Sequence, residues 1–99
     1  MAVTVEGKLQ SEAIRWLKSK GAYVIKTKPG PGIPTGCPDV IFLFEGAWGV
    51  IEFKSARNAP FRPGQKPTLE QLRGWSPFVY VAYPENWSQV KTELARQFF

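Results

Sequence analysis

Two short segments hold the side chains best suited to chemistry, Cys37-Pro38-Asp39 and Glu52-Phe53-Lys54, and a third, Thr68-Leu69-Glu70-Gln71, follows. Glu52 and Lys54 stand two residues apart in an apolar run, so on a strand they project to one side with Phe53 opposite. Two carboxylates placed side by side repel each other, and a divalent cation bound to both relieves this. A cation held by Asp39 and Glu52, with the Phe53 backbone carbonyl as a further oxygen, would acidify a bound water and offset charge building on a phosphoryl group. Lys54 beside that water would orient it, assist its deprotonation or stabilise the pentavalent phosphate. An amide such as Gln71 would hold the water or Lys54 in place. The bland alternative is a structural ion network of Asp39, Lys54 and Glu52. Against it, the strand carrying Glu52 is apolar on both faces (Val50, Ile51 and Phe53), which marks it as central, where unrelieved charge is costly.

The composition leaves little other chemistry available. The 99-residue chain has no histidine and one cysteine, so no Ser-His-Asp triad, Cys-His pair or His-based zinc site can be built. A lone Cys37 cannot close an internal disulfide, which fits a reducing compartment. With 43% apolar and 14% aromatic residues the chain can fold, and its length suits one domain over residues 1–99 with one modest core. The N-terminal MAVTVEGKLQ lacks the apolar core of a secretory signal. No apolar run approaches the ~18 residues that a membrane span needs, so a cytoplasmic location is expected. The formal charge is +5. Lys54, Arg57, Arg62, Lys66 and Arg73 face one acid, Glu70, within residues 54–73, so most of the excess sits in one proline-rich basic loop suited to an anionic partner.

The elements that must position these groups follow from patterning. Residues 5–20 read as a helix, with Leu9, Ala13, Trp16 and Leu17 at helical spacing, Thr4 as N-cap and Gly21 as stop. Residues 22–27 read as a first strand, 29–36 as a proline- and glycine-rich loop, 39–44 as a second strand and 48–54 as a third. Thr68 is expected to cap a short helix over 69–74. A fourth strand runs over 78–83, and Ser88 or Asn86 caps a last helix bearing Val90, Leu94 and Phe98. The order is α-β-β-β-α-β-α. The second and third strands form a hairpin, and a helical crossover makes the third and fourth parallel, giving an α/β fold with a mixed sheet flanked by helices. The hairpin loop decides the register. A Glu45-Gly46 loop sets Asp39 opposite Glu52, and a Gly46-Ala47 loop sets it opposite Lys54. A three-residue loop without a bulge turns Asp39 to the other face.

With these residues in order, the chain resembles the VRR-NUC (virus-type replication-repair nuclease) domain of the PD-(D/E)XK nuclease superfamily, in what looks like its stand-alone, phage-like form. The resemblance covers residues 6–75: a Glu-bearing first helix, then G-A-Y-V-I-K-T, G-C-P-D-V-I-F, V-I-E-F-K and T-L-E-Q-L. It implies a restriction-endonuclease-like α-β-β-β-α-β core. It implies Asp39 and Glu52 as ligands of Mg²⁺ or Mn²⁺, Lys54 as the catalytic lysine and Gln71 as the glutamine that follows. Glu6 matches the first-helix acid that reaches the metal; Glu12 competes for that role, and the alternative for Glu6 is simple stabilisation of a helix N-terminus. The implied activity is a divalent-metal-dependent endodeoxyribonuclease, a homodimer cutting Holliday-junction or other branched DNA, in the bacterial host cytoplasm if phage- or prophage-encoded. Lys26, Lys28, Arg57, Arg62, Lys66 and Arg73 flank the expected site and would neutralise phosphates with little sequence reading. Two other readings stand beside this one: a nuclease-fold DNA-binding module without catalysis, and sequence-specific nicking. A degenerate binding copy usually loses a motif residue, and here all are present. Trp16, Trp48 and Trp87 are expected in the core or an interface, and the place of Trp75 is open. The chain departs from the family pattern in the proline-heavy 29–36 loop and the long PFRPGQKP link.

Overall fold

The Thr4 hydroxyl accepts the Gly7 N–H at 2.9 Å and so starts helix α1 (Val5–Ser19) where the sequence predicts. In this computed structural model the described residues are 4–28, 30–97 and 99. Phe98, which the sequence sets on the last helix, and Pro29, in the second loop, lie outside them. Leu9, Ala13 and Leu17 recur along α1 as a buried stripe. At its end Gly21 takes φ 92°, and the Ala22 N–H returns to the Leu17 carbonyl at 3.2 Å.

Strands β1 (Tyr23–Lys26), β2 (Val40–Phe44), β3 (Ala47–Phe53) and β4 (Val79–Ala82) form one sheet in the order β1-β2-β3-β4. β1–β2 and β2–β3 are antiparallel and β3–β4 is parallel, as the crossover demands. The β2–β3 turn is the two-residue one. Glu45 and Gly46 take φ 45° and 82°, the left-handed pair of a tight hairpin turn whose twist suits the flanking strands. Phe44 therefore pairs with Ala47 and Val40 with Ile51. β3 is central and buried along most of its length. Gly49 in it is obligatory in size, since an added Cβ would stand 2.5 Å from Phe42 Cζ and 2.7 Å from the Phe78 carbonyl oxygen.

The two sides of the sheet carry different layers. Val40, Phe42, Ile51, Phe53 and Ala82 pack with Leu9, Ala13 and Leu17 of α1 and with Trp87, Val90 and Leu94 of α3 (Trp87–Gln97). Trp16 joins this layer, edge-on to Trp87. Val50 and Val79 face the other way and pack with Leu69 of α2 (Gln65–Arg73). α2 covers only part of that side, and Tyr23, Ile25 and Leu43 on the β1–β2 half remain exposed. Among the described residues no helix is long and apolar enough to cross a membrane.

One element starts earlier than the sequence suggests. α2 begins at Gln65, and Thr68 is not its cap: the Thr68 hydroxyl donates back to the Gly64 carbonyl at 2.7 Å from inside the helix. Pro67 misleads here, because proline is tolerated in a first turn, where its missing N–H has no intrahelical partner to lose. Asn86 stands just before α3, but its side chain turns back, accepting the Tyr83 N–H and donating to the Val81 carbonyl.

Candidate active site

The site forms where β2 begins and β3 ends. One step beyond the Val40–Ile51 pair lies Asp39 opposite Glu52, the first of the two registers that keep them on one face. Each carboxylate is oriented by the other's strand. The Asp39 N–H donates to Glu52 Oε1 at 3.2 Å, and Asp39 Oδ2 accepts the Phe53 N–H at 2.9 Å. Thr27 holds the approach to Asp39: its N–H donates to the Asp39 carbonyl at 2.9 Å and its hydroxyl to the Pro38 carbonyl.

Both nearby helices bring their first turns to this end of the sheet. Glu6 comes from α1, and one carboxylate oxygen each of Glu6, Asp39 and Glu52 lie within 4.8 Å of one another. Glu12 does not compete: it is exposed and borders a different surface cleft with Trp87. From α2 comes Gln65, which is buried and donates through Nε2 to Glu52 Oε2. Its Oε1 accepts the Arg62 N–H at 2.8 Å, so the amide ties Glu52 to the loop before the helix. Gln71, the amide expected at the site, is exposed six residues further on, about 120° around the helix from Gln65. A sequence signal for Gln65 exists: it lies four and seven residues before Leu69 and Leu72, on the same helical face.

The charges here are crowded. Glu52 is 2% exposed. Burial, then the nearby Asp39, push its carboxyl from an ordinary 4.5 up to about 7, against the opposing pull of the Gln65 hydrogen bond and Arg62. Glu6 is raised for similar reasons, burial first and Asp39 second. Arg62 answers this charge. Its Nη2 stands 3.0 Å from Asp39 Oδ1 and 3.4 Å from Glu52 Oε2, so its guanidinium is engaged with the carboxylates rather than free for phosphates as the sequence suggests. Lys26, Lys28, Arg57 and Lys66 are exposed. Arg73, at the far end of α2, lies 3.7 Å from Glu70. Trp75 is exposed and Trp87 buried.

Lys54 is 7% exposed, and its backbone N–H donates to the Ala82 carbonyl at 2.9 Å. Its ammonium lies 4.0 Å from the Phe61 ring centroid. Glu6, Glu52, Lys54, Arg62 and Gln65 border a small hollow of about 110 Å³, to which Phe53 also contributes. A larger cleft of about 280 Å³ opens beside Asp39 and Arg62, walled by the loop from Gly30 to Cys37. Three convergent carboxylates form an all-oxygen donor set, which fits a hard divalent cation such as Mg²⁺ or Mn²⁺ and suits no soft metal.

No family model matches the chain, and no curated protein matches it. A solved structure described as a VRR_NUC domain does: it aligns over 97% of this chain and 99% of its own length, with a TM-score of 0.75 and 26% sequence identity.

Proposed function

We propose that this chain, a VRR-NUC domain by the fold it shares over 97% of its length with a solved one, is a Mg²⁺- or Mn²⁺-dependent endodeoxyribonuclease acting on branched DNA as a homodimer. The observation that carries the reading is the convergence of Glu6, Asp39 and Glu52 within 4.8 Å, with Lys54, one residue past the end of β3, bordering the same hollow as Glu6 and Glu52. Asp39, Glu52 and Glu6 would hold the cation, with the Phe53 carbonyl as a further oxygen. Bound there, it supplies acidity to a water and positive charge to the phosphoryl group under attack.

The chain's own residues do the rest. Glu52 and Asp39 are pre-set by each other's backbone, so little reorganisation accompanies binding. Gln65 holds Glu52 in its ligating orientation. Lys54 donates hydrogen bonds to a phosphate oxygen or to the attacking water. Arg62 has a half-exposed side chain, so its guanidinium would be free to turn toward a phosphate if its contacts to Asp39 and Glu52 were given up to a cation. Lys26, Lys28, Arg57 and Lys66 are exposed donors to neighbouring phosphates, so binding weakens steeply with salt and reads little sequence. The uncovered apolar surface of Tyr23, Ile25 and Leu43 supports a second copy as its cover, and a two-fold axis would present two sites to a four-way junction.

The alternative, a DNA-binding module without catalysis, draws on one observation: Arg62 already neutralises Asp39 and Glu52, as in a purely structural network. A cleavage assay separates the two readings, using four-way, flap, duplex and single-stranded DNA with Mg²⁺ or Mn²⁺. The nuclease reading expects Lys54→Ala to lose about 10²- to 10³-fold in cleavage while its DNA affinity stays within a few-fold. Wild-type activity in the Lys54→Ala protein would refute the mechanism, and absence of cutting by the wild type with either metal would favour the binding module. Gln65→Ala is expected to lower metal affinity or turnover by about 10- to 100-fold, and Gln71→Ala to change neither. The reverse ranking would restore Gln71 to the site.

A further inference from the structure

Lys54 presents a puzzle of charge. It is nearly buried, it borders the same hollow as Glu52, and Asp39 lies across from Glu52 and Phe53. An ion pair with one of them would be the ordinary outcome. Yet among the described residues Lys54 forms no ion pair, and the carboxylates are bridged by Arg62. The group that meets the ammonium is the ring of Phe61, 4.0 Å from centroid to Nζ.

Phe61 is itself firmly placed. Its ring packs against the layer formed by Val50, Leu69 and Val79 beneath α2. The next residue's N–H is bound by Gln65 Oε1, so the backbone on the far side of the ring is pinned to the same amide that holds Glu52. An aromatic face attracts an ammonium through its quadrupole but offers no lone pair in the manner of a carboxylate. A lysine held this way keeps its N–H donors for a phosphate oxygen or a water. A lysine paired with Glu52 would lose that freedom and would also occupy a ligand oxygen.

We propose that Phe61 is a positioning residue for Lys54: its ring holds the ammonium over the hollow by a cation–π contact and keeps it off Asp39 and Glu52. This rests on the nuclease reading for its consequence in cleavage, but the placement of the ammonium can be measured without it.

The test replaces Phe61 by 4-fluoro-, 3,5-difluoro- and 3,4,5-trifluorophenylalanine, which drain the ring of electron density while nearly keeping its size. Phe61→Tyr and Phe61→Leu accompany them. Two readouts are taken on the full chain. The first is kcat and KM for cleavage of a four-way junction with Mg²⁺. The second is the acylation rate of Lys54 by acetic anhydride, followed by peptide mass spectrometry without metal or DNA. The expected result is a stepwise fall in kcat with fluorine number, reaching about 10-fold for the trifluoro ring and for Phe61→Leu, with KM and Tm held. Phe61→Tyr restores most of the rate. Lys54 acylation should rise along the same series as the ring loosens its hold. A kcat and an acylation rate that both ignore fluorination overturn the inference, whatever Phe61→Leu does to folding. If the wild-type protein cuts no DNA, the nuclease reading fails and the acylation series alone decides: a graded rise upholds the positioning role of Phe61, and a flat series refutes it.

Discussion

Glu52→Gln is expected to abolish divalent-metal binding and to cut turnover by at least about 10³-fold, while removing most of the pH dependence of stability expected of the metal-free protein between the ordinary carboxylate range and about 7. The first effect follows from position: Glu52 is one of three convergent carboxylates and the only deeply buried one. The second follows from its protonation. In the folded, metal-free protein its carboxyl titrates at about 7, raised by burial and by Asp39. In the unfolded chain it titrates in the ordinary carboxylate range. Between those two pH values the folded protein keeps a proton that the unfolded chain has released. Stability therefore falls as pH rises through that window and levels off above about 7. Thermal melts of chelator-treated protein from pH 4.5 to 8 should show this fall, and the Glu52→Gln protein should show little of it. Adding Mg²⁺ or Mn²⁺ at pH 8 should restore stability to the wild type alone, because the cation binds the ionised carboxylates of the folded state. Calorimetric titration that finds undiminished metal affinity in Glu52→Gln would remove Glu52 from the ligand set.

The second large effect is expected at a residue that bears no functional group. Gly36, at φ 83°, lies where the loop after β1 crosses the chain entering α2. A Cβ added to Gly36 would stand 2.2 Å from the Gly64 carbonyl oxygen and 2.9 Å from the Gln65 nitrogen. The obstacle is backbone, so no rotamer change relieves it. Gly36→Ala must push the two loops apart, and the segment displaced carries Phe61, Arg62 and Gln65. Gly32→Ala is the control. Gly32 has φ 88° but nothing within 4 Å of an added Cβ, so it isolates the conformational cost of a left-handed alanine, about 1 kcal/mol. Gly36→Ala should cost about 2 kcal/mol or more, a Tm loss of roughly 10 °C or more in a domain of this size. Turnover measured well below the lowered Tm should also fall about 10-fold, through Gln65. Equal Tm losses in the two variants would mean that the crossing yields without strain.

The parts of the site that were legible in the sequence are those governed by strand parity. Glu52 and Lys54 share a face because they are two residues apart. Asp39 joins them in either two-residue register, and the structure selects the Glu45-Gly46 one. The buried stripe of α1 and its Thr4 cap were equally plain, since both rest on local spacing. What stayed hidden depends on long-range packing. Pro67 points to a helix starting at Thr68, which hides the first turn that delivers Gln65. The loop residues Phe61 and Arg62 have no period to betray their direction, so the charge of Arg62 suggested phosphate contact, whereas the structure turns it onto two carboxylates. Glu6 and Glu12 are alike by composition, and only the packing of α1 separates them.

The turn at Glu45-Gly46 has a consequence for how this chain can change. It lies at the opposite end of the hairpin from Asp39 and Glu52, exposed, in the kind of place where loop tips ordinarily tolerate change. It nevertheless counts residues for the site. Adding or deleting one residue anywhere between Asp39 and Glu52, with no bulge to absorb it, turns one carboxylate through the sheet to the layer of α1 and α3. Those two acids are 13 positions apart. Lineages descended from this sequence can lengthen or shorten the hairpin only in steps of two if they are to keep both carboxylates on one face. An exposed tip thereby becomes one of the least tolerant places in the chain for a single-codon insertion.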